Sequence, residues 1–390
     1  MNRIYMDNAA TTKVTSPVIA AMLPYFSEYY GNPSSIHAYA REARKGLEAA
    51  RGQVAAALHA KPEEIYFTAG GTEADNWAIR GAMQSAKNGR NHLITTQAEH
   101  HAVLHTCERL EKEDYAVTYL PVDEYGLIRL HELRDAIRPE TVLVTIIAAN
   151  NEIGTIQPLA EIGEICRQRG VLFHTDAVQA IGAEEIDVNA MKIDLLSLSG
   201  HKFHAPKGVG ALYIRDGVRI ARLIEGGAQE RGQRAGTENL ASIVGMGEAI
   251  TIATGGDFAA RNARIRALRE RLIGGIMCEI PDVILNGHPE KRLSGNVNVA
   301  FRYIEGESLL LRLDLEGIAA SSGSACTSGS LDPSHVLLAI GLPHEIAHGS
   351  LRLSLGDENT EEEVDRVIGA LVKIVASLRE MSPLYADRER

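Results

Sequence analysis

The chain has 390 residues and a formal net charge of −11, with 45% hydrophobic and 23% charged residues. This composition is typical of globular proteins and argues against intrinsic disorder, collagen-like repeats or a coiled coil. An acidic chain without a local basic stripe repels phosphate backbones, so direct nucleic-acid binding is not expected. No stretch reaches the ~20 apolar residues of a membrane span or resembles a signal peptide, so a membrane location is not expected either.

The cysteines are scattered and include no C-x-x-C pair, which argues against a disulfide framework and a zinc ribbon. They are Cys107, Cys166, Cys278 and Cys326. A reducing cytoplasm fits this usage best. The first three lie inside or at the end of helical patterns and are predicted to be structural, buried thiols.

From about residue 16 to residue 215, short apolar runs alternate with longer stretches of helical periodicity, a pattern typical of strands joined by crossover helices. The predicted strands are 64–68, 92–96, 116–120, 142–147, 171–175, 195–199 and 210–214. The predicted helices are 41–59, 72–85, 102–113 and 159–169. Several strands lack polar alternation, so we predict an α/β fold with one wide, mainly parallel seven-stranded sheet covered by helices on both faces.

The pattern changes after Thr237. Helices are predicted at 238–254 and 260–277, strands at 295–301, 318–321 and 350–355, and a last helix opens at Thr360, which has capping-box spacing to Glu363. This predicts a smaller α+β domain, with the boundary at the adjacent glycines 255 and 256. We assign residues 15–256 to the large domain, and residues 1–14 and 257–390 to the small domain. The first dozen residues could pack on either.

Lys202 follows a predicted buried strand and is flanked by Ser199, Gly200 and His201. A lysine in such a place can have its pKa lowered by desolvation and serve as a Schiff-base amine. Its hydroxyl and imidazole neighbours suit a phosphate group. The alternative is a surface lysine in a glycine-rich turn.

Asp176 ends another predicted strand, at the sheet edge where open α/β sheets bind ligands. A carboxylate there can hold the ring proton of a pyridinium cofactor. Gln179, or an amide from the segment 150–154, could donate to the ring hydroxyl. The alternative role of Asp176 is a helix N-cap.

Gly70, Gly71 and Thr72 lie between a predicted strand and a predicted helix. That geometry directs backbone amides and a helix dipole toward an anion, so Gly71 and Thr72 are candidate phosphate ligands. A helix capped after a tight turn is the alternative.

Glu99, His100 and His101 follow a further strand at the same predicted edge. An imidazole can stack on a pyridine ring and exchange protons near neutral pH. We expect at most one of the two histidines to be catalytic, because adjacent histidines more often cap a helix or face water.

Cys326 lies in a small, polar, glycine-rich segment, 319–333. This environment predicts an exposed, mobile loop with a reactive thiol. Arg352 alternates with apolar residues on a predicted strand and therefore needs an anionic partner. That partner is either the carboxylate of a bound amino acid or an acidic side chain of this chain, in an internal salt bridge.

Together these segments resemble the aminotransferase class V group of pyridoxal-phosphate enzymes, and more closely the NifS/IscS-type cysteine desulfurases. The resemblance spans nearly the whole chain. The matching segments are 5–12, 31–35, 71–73, 99–100, 150–154, 176, 201–202, 231–232, 234–237 and 321–326. The serine-rich segment 321–326 resembles the first desulfurase group. The chain departs from the family pattern at His101, where a lysine is expected.

The resemblance implies fold type I, pyridoxal 5'-phosphate as cofactor and a homodimer. It assigns Lys202 as the lysine bonded to the cofactor, Asp176 as partner of the ring nitrogen and His100 as the stacking acid/base. It places Gln179 near the ring hydroxyl, and Asn151 near the ring and the substrate carboxylate. The implied phosphate ligands are Gly71, Thr72, Ser199, His201 and, from the other subunit, Thr237.

The resemblance further implies that Arg352 holds the carboxylate of L-cysteine and that Cys326 accepts its sulfur as a persulfide. The acceptor class it implies is an iron–sulfur scaffold or another sulfur-carrier protein. An aminotransferase or a selenocysteine lyase on the same fold remains an alternative, as does an interaction platform with a vestigial site.

Overall fold

The computed structural model describes residues 3–322 and 333–386. Its strands are β1 Ile4–Tyr5, β2 Ile65–Thr68, β3 His92–Thr96, β4 Ala116–Leu120, β5 Thr141–Thr145, β6 Leu172–Asp176, β7 Leu195–Ser199, β8 Gly210–Ile214, β9 Val283–Leu285, β10 Asn296–Phe301, β11 Ile318–Ala319 and β12 Ser350–Ser354. Its helices are α1 Ser16–Met22, α2 Pro24–Ser27, α3 Ala38–Ala57, α4 Gly71–Gln84, α5 His101–Glu111, α6 Leu130–Ala136, α7 Leu159–Arg169, α8 Leu240–Thr254, α9 Phe258–Glu279, α10 Gly306–Leu315, α11 His335–Ala339, α12 His344–Ala347, α13 Glu361–Glu380 and α14 Pro383–Ala386.

The predicted seven-stranded sheet is confirmed, with the strand order β2-β8-β7-β6-β5-β3-β4. Strand β8 runs antiparallel to both neighbours, and the remaining pairs are parallel. Strands β3, β5, β7 and β8 are buried along their whole length, because helices cover both faces. The carboxyl ends of β2, β3, β5, β6 and β7 meet at one edge, where the turns that follow them carry the candidate site residues.

Side chains protect the open edge of β2. Arg51 and Arg231 both donate hydrogen bonds to the Ile65 carbonyl, at 2.8 and 2.7 Å. The Phe67 amide donates to Glu230, which forms a buried ion pair with Arg51 at 2.8 Å. These contacts satisfy backbone groups that an edge strand otherwise leaves open to another chain. They also fix the segment that precedes Thr237.

A three-stranded antiparallel sheet, β12-β10-β9, packs against α9, α10 and α13 around a separate hydrophobic cluster. Ile4 and Met6 belong to this cluster, and β1 pairs with β11. Val14, in contrast, packs against the core of the large sheet. Residues Val336 and Leu337 pack instead in the core of the large sheet. The domain bounds 15–256 and 257–390 stay a prediction.

The amino-terminal segment after β1 lies between the two hydrophobic clusters. The Asn8 and Ala9 amides donate to Ser354, and the Thr12 amide donates to the His201 carbonyl. The chain start is therefore tied both to β12 and to the turn that carries Lys202.

Most predicted elements are confirmed, including the capping box of Thr360 and Glu363 at α13. The predicted strand 318–321 is shorter, because Ile318 and Ala319 pair with β1, whereas Ser321 forms an isolated bridge to Arg352 of β12. Cys107 and Cys166 are buried as predicted, but Cys278 is exposed at the end of α9, so that part of the prediction is wrong. In the described ranges, no helix is both long and apolar enough to cross a membrane.

Candidate active site

A cavity of about 290 Å³ opens at the carboxyl edge of the large sheet. Its wall contains most of the site residues proposed from the sequence: Gly71, Thr72, His100, Asn151, Asp176, Gln179, Ser199, His201, Lys202 and Arg352. Residues from the start, middle and end of the chain thus share one small volume. The site assignments remain proposals, and the cavity gives them a common location.

Lys202 lies in a short turn immediately after β7. Its Nζ donates to the carbonyls of Ala9 and Ala10, at 2.6 and 2.9 Å. Gln179 Nε2 also donates to the Ala9 carbonyl, at 2.8 Å. Two carbonyl oxygens therefore hold the amine in the cavity wall, where it can approach a bound aldehyde.

One end of the cavity is suited to an anion. Gly71 and Thr72 form the first turn of α4, and the first amides of a helix have no carbonyl partner within it. A Cβ on Gly71 would lie 2.6 Å from Val178 Cγ2, and a Cβ on Gly210 would lie 2.7 Å from Gly70 Cα. Glycine at positions 71 and 210 thus allows α4 to approach Val178, and β8 to approach Gly70. The side chains of Ser199 and His201 add polar groups to the cavity wall.

Asp176 ends β6 and is 4% exposed. One of its carboxylate oxygens accepts a hydrogen bond from the Val178 amide at 2.9 Å. Burial raises the pKa of Asp176, while that hydrogen bond and the Lys202 ammonium act in the opposite direction. A buried carboxylate next to a cation can hold a ring N–H in place.

His100 is the N-cap residue of α5, and its Nδ1 accepts a hydrogen bond from the Ala102 amide at 3.1 Å. Burial and the nearby Lys202 lower the pKa of His100 to about 4. The ring is therefore neutral at physiological pH, and its proton resides on Nε2. The capping and the acid/base interpretations of His100 are compatible, because capping uses Nδ1 and leaves Nε2 for proton transfer.

Arg352 and Asn151 are in direct contact in the cavity wall. Arg352 donates to the Asn151 carbonyl at 3.0 Å and to Asp7 at 3.1 Å. The internal salt bridge considered from the sequence is thus present. Arg352 Nε is buried and has no hydrogen-bond partner among the described residues. Asn150 differs from Asn151, because the Asn150 side chain holds its own turn through Ala98, Glu152 and Ile153.

One described candidate is not brought to this cavity. Thr237 is exposed, and it is not among the described residues that line the wall. Cys326 lies outside the described residues.

Three contributors were missed by the sequence analysis. The Ala9 and Ala10 carbonyls hold Lys202, and Asp75 adds a second carboxyl to the cavity wall. A backbone carbonyl gives no side-chain signal in a sequence. Asp75 follows Thr72 by three residues, one helical turn, and that spacing places both on one face of α4.

The residues present fit pyridoxal phosphate. The cavity offers a lysine amine, a buried carboxylate, a neutral imidazole and a helix amino terminus for the phosphate, all from described residues. The fold and this set of side chains define a fold type I pyridoxal-phosphate enzyme.

Comparison with known proteins identifies the branch of this class. The family model described as aminotransferase class-V matches residues 4–367. A curated relative, cysteine desulfurase IscS of Clostridium botulinum strain Hall, is 56% identical over 390 residues, covering 99% of this chain and 98% of the relative. A solved NifS-like protein superposes with a TM-score of 0.91 at 39% identity, covering 97% of this chain and 100% of that chain. A second structure, SspA in complex with cysteine, superposes with a TM-score of 0.81 at 39% identity, covering 92% of this chain and 100% of that chain.

The chain belongs to the aminotransferase class-V family and, within it, to the NifS/IscS-type cysteine desulfurases.

Proposed function

We propose that this chain is a pyridoxal-phosphate-dependent cysteine desulfurase that converts L-cysteine to L-alanine and transfers the sulfur to Cys326 as a persulfide. The joint placement of Lys202, Asp176 and Arg352 in one cavity supports this function. The activity named for the relatives, and the cysteine bound to a structural neighbour, point to the same substrate. When bound, the cofactor supplies an electron-withdrawing ring next to the substrate α-carbon.

Arg352 binds and orients the substrate. Its unpartnered Nε and the neighbouring amide of Asn151 offer donors to an amino-acid carboxylate. A carboxylate held there presents the α-carbon to Lys202 on the other side of the cavity. Lys202 Nζ then removes the α-proton. The Ala9 and Ala10 carbonyls position this amine for the transfer.

His100 and Cys326 complete the reaction. The Cys326 thiolate attacks the substrate sulfur, the bond between carbon and sulfur breaks, and its electron pair stays with the carbon. A proton from His100 Nε2 or Lys202 Nζ then reaches the β-carbon, and return of the α-proton from Lys202 Nζ gives alanine. Cysteine sulfur is thereby transferred as a neutral sulfur atom, and no external oxidant is required.

A homodimer is part of the proposal. The segment from Ile19 to Tyr39 exposes large apolar side chains, among them Phe26 at 64%, Tyr30 at 62% and Ile36 at 92%. Apolar surface of this extent favours a protein partner. The exposed position of Thr237 agrees with its predicted role at the phosphate site of a second copy. The expected acceptor is an iron–sulfur scaffold or another sulfur-carrier protein, in the cytoplasm.

The proposal is tested by measuring alanine and protein-bound persulfide after L-cysteine is added to purified, cofactor-loaded protein. Cys326→Ala should keep the yellow colour and lose persulfide, whereas Cys278→Ala, at the exposed cysteine on α9, should retain it. Normal sulfur release by Cys326→Ala would reject the nucleophile. Equal transamination by wild type and Cys326→Ala would favour an aminotransferase instead.

Lys202 is tested by the absorbance spectrum. Lys202→Ala should abolish turnover and shift the visible band of the cofactor, because the covalent link is lost. Lys207→Ala, five residues along the same turn, is the matched control and should leave the band in place. An unchanged spectrum of Lys202→Ala would reject the assigned lysine.

A further inference from the structure

Two buried carboxyl groups lie next to each other beneath the cavity. Asp75 of α4 is 1% exposed and Asp176 of β6 is 4% exposed. A carboxylate oxygen of each and a ring nitrogen of His100 all lie within 4.8 Å of one another. Two carboxylates at such a separation in a buried site cannot both ionise cheaply, so the pair holds one proton.

The surroundings of the pair decide which carboxyl keeps that proton. Asp176 accepts the Val178 amide at 2.9 Å, and the positive charge of Lys202 stabilises its ionised form. Asp75 has a side-chain hydrogen bond from Ser197, but the neighbouring groups whose charge shifts its pKa are acids rather than a lysine or arginine, and its Oδ1 lacks a hydrogen-bond partner among the described residues. Burial, followed by the charge of Asp176, raises the pKa of Asp75 well above its ordinary value.

A neutral hydrogen-bonded network surrounds Asp75 on the side away from the cavity. Ser197 of β7 bonds to Asp75, and its hydroxyl lies 3.0 Å from His174 Nε2. His174 Nδ1 lies 2.7 Å from the Thr145 hydroxyl. Burial lowers the pKa of His174 to about 3, so this imidazole supplies no positive charge to Asp75. Glu99, on the segment before α5, is a further buried acid near Asp75, and burial raises the pKa of Glu99 to about 8, so it also holds its proton at neutral pH.

We propose that Asp75 is a positioning residue of the cofactor site: it is the member of the buried pair that keeps the proton, which leaves Asp176 as the carboxylate that faces the cofactor ring. This inference rests on the proposed cofactor site. Asp75 acts through Asp176, because a neutral neighbour can donate a hydrogen bond to the ionised carboxylate, whereas an ionised neighbour would repel it. The negative charge is thus confined to one side chain.

The proton can be observed directly in the cofactor-free protein. Infrared spectroscopy at neutral pH should show a carbonyl stretch from a protonated aspartic acid, and carbon-13 labelling of aspartate carboxyls should shift it. The band should disappear in Asp75→Asn and persist in Asp176→Asn. Glu99→Gln, which removes another buried carboxyl, is the control and should leave the labelled band in place. Loss of the band in Asp176→Asn alone would overturn the proposal.

Cofactor affinity gives a second measurement. Asparagine mimics a protonated aspartate in shape, so Asp75→Asn should weaken pyridoxal-phosphate binding less than Asp176→Asn does, by at least ~10-fold in the dissociation constant. Equal losses in the two variants would mean that Asp75 also carries charge, and would reject the assignment. Because the infrared test needs neither cofactor nor turnover, its failure is distinguishable from failure of the desulfurase proposal.

Discussion

At the scale of single residues, burial controls what Arg352 can recognise. Its guanidinium is nearly fully buried, and two of its donors already meet the Asn151 carbonyl and Asp7. Its Nε has no partner within the described ranges, and a buried donor left unsatisfied costs ~1–3 kcal/mol. A substrate carboxylate that accepts from it removes this cost. Under the proposed function, this favours an amino acid over an amine as substrate.

Replacing Arg352 by lysine keeps the charge but removes the planar arrangement of donors. Losing a charge-assisted hydrogen bond costs ~1.5–3 kcal/mol, so we expect KM for L-cysteine to rise by ~10- to 100-fold. The cofactor absorbance should not change. Steady-state kinetics of Arg352→Lys would establish this, with Arg271→Lys, at a surface ion pair with Asp365, as control. An unchanged KM would contradict the carboxylate role.

At the scale of elements, one ion pair joins α3 to the segment preceding Thr237. Arg51 of α3 contacts Glu230 and the backbone of β2, and Glu230 also accepts the Phe67 amide. The guanidinium of Arg51 lies over the Phe67 ring, 4.8 Å from its centroid. These contacts are buried, so each partner depends on the other for its charge compensation.

Arg51→Met should lower the free energy of unfolding by ~3–5 kcal/mol, because it leaves the Glu230 carboxylate buried without a cation. Adding Glu230→Gln should recover part of the loss, since the amide oxygen still accepts from Phe67 and carries no charge. Urea unfolding of the single and double variants checks this. Additive losses in the double variant would show that the two residues act independently.

The ends of the strands and helices show how far the sequence predicts this structure. Strands β3, β4, β7 and β8 end where the apolar runs end, because turn residues bound each run. The site residues that follow β3 and β7, among them His100 and Lys202, were therefore predictable. Helix α10 was missed because its Leu309, Leu310 and Leu311 run together, although Leu311 is 63% exposed. Residue-type patterns also carry no information on which backbone carbonyl meets Lys202 across the fold.

At the scale of the whole molecule, buried titratable groups make stability depend on pH in opposite directions. Burial lowers the pKa of His100 and His201 to about 4 each. The unfolded chain takes up protons on these rings between about pH 6.5 and 4, so stability falls as the pH falls through that range. Burial raises the pKa of Glu99 to about 8 and of Glu152 to about 7. The folded protein keeps these two acids protonated, whereas the unfolded chain releases their protons. Stability therefore also falls as the pH rises above about 4.5.

Glu99→Gln should flatten the alkaline side of this profile. The amide oxygen can still accept from Thr96 and the Ile147 amide, as Glu99 Oε1 does at 2.7 and 3.1 Å. The variant should gain stability on the order of 4 kcal/mol relative to wild type near pH 8, and little near pH 4.5. Thermal unfolding of the cofactor-free protein across this range is the measurement. Glu108→Gln, on the exposed face of α5, is the control, and a parallel shift at every pH would contradict the burial argument.

The position of the amino-terminal segment has a consequence for biosynthesis. Ala9 is synthesised 345 residues before Ser354, yet its amide bonds to that residue, and its carbonyl accepts from Lys202. A nascent chain must therefore keep the segment around Ala9 available until β12 has been translated. The large sheet can assemble during synthesis, but the catalytic pocket closes only after β12 has folded.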